Sequence, residues 1–356
     1  MKVLMTGGMG FIGSAVVRRC LADGHSVVNV DKVTYAASEE TLATEAINPL
    51  YGWIQADICD AEIMNSVFKN ARPDAVLHLA AETHVDRSIG EPAAFITTNI
   101  VGTYSLLEAA HAYWAGLLGA EKDEFRFLHV STDEVYGSLG AEGLFTEKTA
   151  YTPNSPYAAS KASADHLVRS WNRTYGLPAI ITNCSNNFGP FQFPEKLIPV
   201  IIMKARNGEP IPIYGDGSNV REWLFVDDHA EALLQVVRNG KTGETYNVGS
   251  SDELTNLDVA RRVCEALDDL EPRLDGASHA DRITFVDDRP GHDFRYALDA
   301  SKIANELGWQ PRHSLDEALR ETVRWYIENE TWCTNIMDGN YRGERLGLAH
   351  GLAGGN

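Results

Sequence analysis

The chain holds no apolar run approaching the roughly 20 residues that a bilayer-crossing helix needs, so no membrane span is expected. Cysteine is scarce. Five residues (Cys20, Cys59, Cys184, Cys264 and Cys333) are scattered through 356 positions, with no Cys-x-x-Cys. This excludes a disulfide framework and reads as reduced thiols in a cytoplasmic protein. The histidines show no metal-ligand spacing, so no metal is expected. Positive charge is in deficit: 31 Lys and Arg face 50 Asp and Glu, for a net charge of −19. Nucleic acid polymers and anionic membranes would be repelled, and an anionic small ligand must meet a local basic cluster. The start, Met1-Lys2-Val3-Leu4-Met5-Thr6-Gly7, runs straight into a glycine turn and lacks the layout of a signal peptide. No internal repeat is present.

Short apolar runs separated by helical patterns fill the first half. Strands are expected at Lys2–Thr6, Ser26–Val30, Trp53–Ala56, Ala75–Leu79, Phe125–Val130 and Ala179–Asn183. A single long helix is expected over Pro92–Leu118, and another from Pro156 to about Tyr175. Strands and helices that alternate at this length imply an α/β fold, a Rossmann-type doubly wound parallel sheet. Beyond Cys184 the pattern becomes a smaller lobe. It holds helices at Glu195–Asn207, after a cap at Asp227 or Asp228, and at Asn256–Leu267. The expected division is a dinucleotide-binding part over 1–184, to which segments near 220–250 return. A substrate-binding lobe over 185–330 and a disordered tail over 346–356 complete it.

Glycines at 7, 10 and 13 sit between the first strand and first helix. That context allows a tight turn, close approach of a pyrophosphate to main-chain N–H groups and close helix packing. Asp31 ends the second strand, where an acid accepts hydrogen bonds from an adenosine ribose and favours NAD over NADP; Lys32 beside it acts the other way. Asp57 and Ile58 follow the third strand, placed for an adenine ring, although Asp57 also reads as a helix cap. Ala80 and Ala81 end the fourth strand, and small residues there let a dinucleotide lie close to the backbone.

The stretch from Ser131 to Lys161 carries the chemistry. Thr132, Asp133 and Glu134 end the fifth strand; Tyr157 and Lys161 share one helix face one turn apart. An ammonium so placed is expected to lower the phenol from its usual pKa of about 10. A regular strand would send Asp133 to the face opposite Thr132 and Glu134, so the strand must end near Ser131 for all three to act together. In the lobe, Lys196, Arg221 and Arg289 form a basic set suited to a diphosphate, accompanied by Tyr214, Asn186 and Asn256.

Gly-x-x-Gly-x-x-Gly, Tyr-x-x-x-Lys and the long C-terminal lobe resemble the extended short-chain dehydrogenase/reductases that act on nucleotide sugars. Asp31–Tyr35, Ala80–Ser88, Ser131–Gly137, Cys184–Pro199 and Arg289–Asp293 resemble the 4,6-dehydratases of that group, and the likeness runs from Met1 to about Tyr326. The resemblance implies NAD held by Gly7, Gly10, Phe11, Ile12, Gly13, Asp31, Lys32, Asp57, Ile58, Ala80, Ala81, Asn99, Tyr157 and Lys161. It implies a nucleoside-diphosphate sugar, dTDP-glucose, at Thr83, Asn186, Lys196, Tyr214, Arg221, Asn256, Arg289 and His292. It also implies a homodimer joined through helices near 100–118 and 157–175. Tyr157 would take the 4-hydroxyl proton, with Thr132 on the same oxygen. Glu134 would remove the C5 proton and Asp133 protonate the leaving C6 hydroxyl. Two departures stand out: Ala36-Ala37-Ser38 replaces the more usual Ala-Gly-Asn, and Thr83 replaces Ser. A 4-epimerase would need Tyr157 and Lys161 without the acid pair. A decarboxylase would need a guanidinium for a uronic acid, and a dinucleotide sensor would have no need of Tyr157 or Lys161.

Overall fold

The computed structural model describes residues 1–288 and 292–340, with side chains through Ile336. Among the described residues twelve strands lie in chain order: β1 (Lys2–Thr6), β2 (Ser26–Asp31), β3 (Tyr51–Gln55), β4 (Ala75–His78), β5 (Arg126–Thr132), β6 (Ala179–Cys184), β7 (Asn186–Phe188), β8 (Ile211–Tyr214), β9 (Val220–Phe225), β10 (Thr245–Val248), β11 (Glu253–Thr255) and β12 (Ile283–Val286). Seven form one sheet in the order β10-β6-β5-β4-β1-β2-β3, and every pairing in it is parallel. A parallel sheet is covered on both faces, which is why β4 and β6 are buried along their whole length. One face packs on the helices Phe11–Ala22 and Val226–Asn239, burying Val16, Val17, Leu233 and Val237. The other packs on Ala61–Ala71, Thr103–Ala115 and Pro156–Tyr175, burying Phe68, Leu106, Leu107 and Trp171.

Strand order reverses between β1 and β4. In open α/β sheets ligands bind beyond the carboxyl ends at such a switch. Across that edge stands a second core, made by Ile198, Ile202, Trp223, Val263 and Leu319 around the sheets β11-β9-β7 and β12-β8. β10 follows this material in the chain yet pairs with β6 in the main sheet.

Several boundaries differ from expectation. The helix after Glu91 is α-helical at Pro92–Phe95, widens to a π-helix at Ile96–Gly102 and returns to α-helix at Thr103–Ala115. A side chain at Gly102 would press on Ile58, with its Cβ 2.7 Å from Cδ1, so glycine lets the widened turn lie against the residues after β3. The helix expected from Glu195 begins at Leu197, because Glu195 is buried in the cleft wall and Lys196 is the cap. Neither Asp227 nor Asp228 caps a helix. Phe225 holds that position without a side-chain bond, while Asp228 accepts the His313 N–H at 3.1 Å and pairs with its ring. Asp57 is not a cap either: Asp60 accepts the N–H groups of Glu62 and Ile63 at 3.1 and 3.0 Å. The tail over 346–356 lies outside the described residues.

Candidate active site

A cleft of about 480 Å³ opens between the β1/β4 switch and the second core. Its dinucleotide side is main chain. Gly7 has φ +76°, and a Cβ there would stand 2.6 Å from Ala80 N. A Cβ on Gly13 would stand 2.1 Å from Gly7 O, so the helix can pack this close only without a side chain. Gly10 is different: its missing Cβ meets nothing nearer than 3.5 Å, and the position faces the cleft. Gly10 caps the helix Phe11–Ala22 without any side-chain bond, leaving the first-turn N–H groups open to an anion. Phe11, Ile12, Ile58, Ala80 and Ala81 complete this wall.

Asp31 is buried at the end of β2, and its carboxylate accepts the N–H groups of Met9 and Val33 at 2.9 and 2.8 Å. Burial raises its pKa, against those two hydrogen bonds. Lys32 does not stand free beside it, for its ammonium pairs with Asp57 at 2.6 Å. Ala36 and Ala37 border the same end. Ser38 accepts the Glu40 N–H at 3.2 Å, so the altered loop closes on its own cap.

Asn99 does not line the cleft. The π-turn aims it at the loop after β4, where it accepts the Glu82 N–H at 2.8 Å and donates to Glu82 O at 3.0 Å and Ser160 Oγ at 2.8 Å. It holds the Glu82–Thr83 wall from behind. Thr83 itself lines the cleft, and its carbonyl accepts Lys196 Nζ at 3.4 Å.

The reacting groups sit where the two walls meet. β5 runs one residue further than the scheme required, through Thr132, and turns at once into a 3-10 helix, Asp133–Tyr136. The turn abolishes strand alternation, so Thr132, Asp133 and Glu134 all line the cleft. Thr132 Oγ1 donates to Asp133 Oδ1 at 3.2 Å and accepts the Glu134 N–H at 3.3 Å. Asp133 is only 2 % exposed, and its Oδ2 is buried with no hydrogen-bond partner among the described residues. Burial, then the charges of Glu134 and Glu222, push Asp133 well above the usual carboxylate range, against Arg221.

Tyr157 and Lys161 enter from the helix Pro156–Tyr175, whose proline and Ser155 cap fix its start. The expectation that Lys161 lowers the Tyr157 pKa is corrected. Burial, with Glu134 and Cys184 adding to it, holds the phenol well above its ordinary value. Lys161 Nζ donates instead to Val130 O at 2.8 Å. Burial brings Lys161 down to about 8, with the Asp165 and Cys184 charges acting the other way.

On the lobe side Asn186, Lys196, Tyr214, Arg221, Asn256 and His292 all line the cleft. Arg221 is buried over the Tyr296 ring and donates to the carbonyls of Val220, Phe294 and Asp293 at 2.7, 3.3 and 2.9 Å. His292 Nδ1 lies 2.7 Å from Asp288. Arg289 lies outside the described residues. Sequence reasoning missed Cys184, Ser185, Gln192, Glu195 and Trp223, all in the lining. Cys184 and Ser185 follow from their place at the C-terminal end of β6, and Trp223 from alternation with Arg221 along β9.

A family model described as GDP-mannose 4,6 dehydratase matches residues 4–322. The chain is 57% identical over 350 residues to a dTDP-glucose 4,6-dehydratase of Neisseria meningitidis, covering 97% of this chain and 99% of that protein. Among solved structures, a dTDP-glucose 4,6-dehydratase of Streptomyces venezuelae with NAD and TYD bound superposes with TM-score 0.85 at 42% identity, over 94% of this chain and 100% of that one. A UDP-glucose 4-epimerase of Thermotoga maritima shares the fold at TM-score 0.81 and 30% identity, over 93% and 100% of the two chains. With the acid pair, the Tyr-x-x-x-Lys face and the glycine cradle converging on one cleft, the chain belongs to the dTDP-glucose 4,6-dehydratase family.

Proposed function

We propose that the protein converts dTDP-glucose to dTDP-4-keto-6-deoxyglucose with bound NAD. The observation that carries this is the turn after β5. It puts two carboxylates of different environment beside Tyr157 in one cleft. A 4-epimerase needs the tyrosine but has no task for the pair.

The glycine cradle, the open first turn of the helix Phe11–Ala22 and Asp31 suit a dinucleotide. When bound, NAD supplies a hydride acceptor that gives the hydride back at C6, and a positive ring that favours the phenolate of Tyr157. Tyr157 takes the proton of the sugar 4-hydroxyl, and Thr132 hydrogen-bonds the same oxygen. The resulting 4-ketone acidifies C5, and Glu134 removes that proton. Burial and the neighbouring acids raise Asp133 and so favour its protonated form, which gives its proton to the departing 6-hydroxyl. C5 is then reprotonated, so the sugar shows no net redox change. Lys196 and Arg221 bind the diphosphate, with Arg289 joining them from the sequence pattern, and Thr83, Asn186, Tyr214, Asn256 and His292 hold the rest of the sugar nucleotide. Incubation with dTDP-glucose is expected to yield a 4-keto sugar that has lost its 6-hydroxyl. A 4-hydroxyl of inverted configuration, with the 6-hydroxyl retained, would overturn the reading in favour of an epimerase.

A homodimer fits the same picture. Ile96, Val101 and Tyr104 on the first long helix, and Tyr175 at the end of the second, are exposed apolar side chains on the expected contact helices. Sedimentation at micromolar concentration should give twice the chain mass. A reducing cytoplasm suits the five free cysteines, and no helix among the described residues is long and apolar enough to cross a membrane.

A further inference from the structure

One buried carboxylate has no part in the steps above. Asp165 stands one turn past Lys161, as Lys161 stands one turn past Tyr157, so all three share a helix face. It is 0 % exposed. Its Oδ2 accepts Ser131 Oγ at 3.0 Å, the Tyr151 hydroxyl at 2.8 Å and Asn183 Nδ2 at 3.5 Å. Its Oδ1 lies 3.2 Å from His129 Nε2. Ser131 immediately precedes Thr132, and Tyr151 belongs to the segment leading into the helix. Asp165 therefore touches the strand that delivers the acid pair and the segment that leads to the tyrosine.

The surroundings decide the charge of this group. Burial alone would raise its pKa. Contact with His129, attraction to Lys161 and the Ser131 hydrogen bond outweigh burial, and the carboxylate lies below its usual range. His129 is held down to about 4 by burial and Lys161, and is neutral near pH 7. His78, packed 5.0 Å from the His129 ring, is lowered well below its ordinary value by burial, then by His129 and Lys161. Neither imidazole supplies the countercharge. Lys161 is faced by Asp165 on its own helix, where Tyr157 shares its face, by Cys184 on β6, and by His78 and His129 on β4 and β5. Asp165 is faced by His129 and Ser131 on β5, Asn183 on β6, Tyr136 and Tyr151 before the helix, and Lys161. Arg169 on its own helix is linked to it through the Tyr151 hydroxyl, at 2.6 Å from that oxygen.

We infer that Asp165 is a positioning residue for the C4 step: its carboxylate keeps the Lys161 ammonium charged and ties Ser131 to the catalytic helix, so that the Thr132–Glu134 turn and the Tyr157–Lys161 face hold one spacing. The inference rests on the dehydratase reading, which gives Tyr157 the C4 step, and adds that a charged Lys161 one turn away on the same helix face favours the phenolate formed there.

Single-turnover oxidation at C4, followed by the absorbance of the reduced cofactor, tests it. Lys161 must be charged, so the wild-type rate should fall as pH rises through about 8. Asp165→Asn keeps the shape and removes the charge. Lys161 then loses its proton more readily, and the alkaline limb should move to lower pH by about one unit. The optimal rate should fall about tenfold, with KM for the sugar nucleotide within about twofold of wild type. Asp165→Glu should return the limb toward its original place. Ser131→Ala removes one hydrogen bond and keeps the charge, so it should lower the rate about threefold without moving the limb. An Asp165→Asn limb at the wild-type pH overturns the inference, since a merely structural residue would lower the rate at every pH alike. Should that variant not fold, Ser131→Ala decides: a lowered rate at unchanged KM supports the inference, and a wild-type rate overturns it. If wild-type protein reduces its cofactor with a different nucleotide sugar, the substrate reading fails while the limb can still be measured with that sugar.

Discussion

The two walls of the cleft are made of different material. The wall along β1, β2 and β4 is main chain: glycines, alanines, the open amides of a helix end and one carboxylate bonded to backbone N–H groups. The wall along β9 and the lobe helices is side chain, with charged groups anchored on carbonyls and rings, as Arg221 is on Val220, Asp293, Phe294 and Tyr296. A main-chain wall suits a ligand that lies close to the backbone, as a dinucleotide does, and it fails when space is lost. A side-chain wall sets which sugar nucleotide enters, and it fails when charge is lost. The reacting residues lie on the seam and need both.

The largest effects are expected on that seam. Tyr157→Phe should lower formation of the 4-keto sugar by about 10²–10⁴-fold while both ligands still bind, as titration calorimetry would show. A variant that reduces its cofactor at the wild-type rate would place the base elsewhere. Glu134→Gln should allow oxidation at C4 and accumulate reduced cofactor, without exchange of the C5 hydrogen for solvent deuterium. Rapid exchange in Glu134→Gln, with none in Asp133→Asn, would reverse the two roles.

The main-chain wall should break next. Gly13→Ala drives a Cβ into the Gly7 carbonyl, and something in the backbone must shift. Strain of this kind costs about 1–3 kcal/mol, so both melting temperature and NAD affinity should fall. Gly10→Ala sharpens the comparison. Its Cβ has room in the chain itself, so the melting temperature should hold while NAD binds more weakly. Equal loss of stability in the two variants would show that the glycines serve packing alone.

The side-chain wall should give a smaller, selective loss. Lys196→Ala removes a partly exposed cation and is expected to raise KM for dTDP-glucose about tenfold, with NAD affinity unchanged. Equal weakening of both ligands would mean that the walls are not separable.

Smallest of all is the effect of Asp57→Asn. It frees the Lys32 ammonium from its carboxylate partner and should narrow the preference for NAD over NADP about threefold, as a half-exposed ion pair allows. Comparison of the two dissociation constants measures it.

The main-chain wall was legible because its signals are local. Gly7, Gly10 and Gly13 lie within seven residues, and a strand before and a helix after them supply the context. Tyr157 and Lys161 were legible because helical spacing alone puts them together. What was not legible depends on partners remote in the chain. Asp165 reads in sequence as a further polar residue on a helix; only Ser131, Asn183 and His129, brought in by β5 and β6, show that it is buried and charged. The Tyr157 environment was misjudged for the same reason, because Lys161 is a near neighbour along the chain while Glu134 and Cys184 come from other elements. The resemblance alone puts Asn99 on the cofactor, and the π-turn, which no local pattern announces, directs it to Glu82. β7 and β11 are three residues each, too short for alternation to register.

The position of β10 has a consequence for how the chain is made. Its partner β6 leaves the ribosome first, but the parallel ladder between them cannot form until everything from Asn186 to Glu244 has been synthesised. Until then the side of β6 away from β5 is an unpaired edge on a strand that the finished fold buries along its whole length. Long-range parallel pairing is slow to form, and an unsatisfied edge in a partly made chain is a template for other chains. Expression at lower temperature, or with chaperones that shield nascent chains, should therefore raise the soluble yield more than any substitution that stabilises the finished fold.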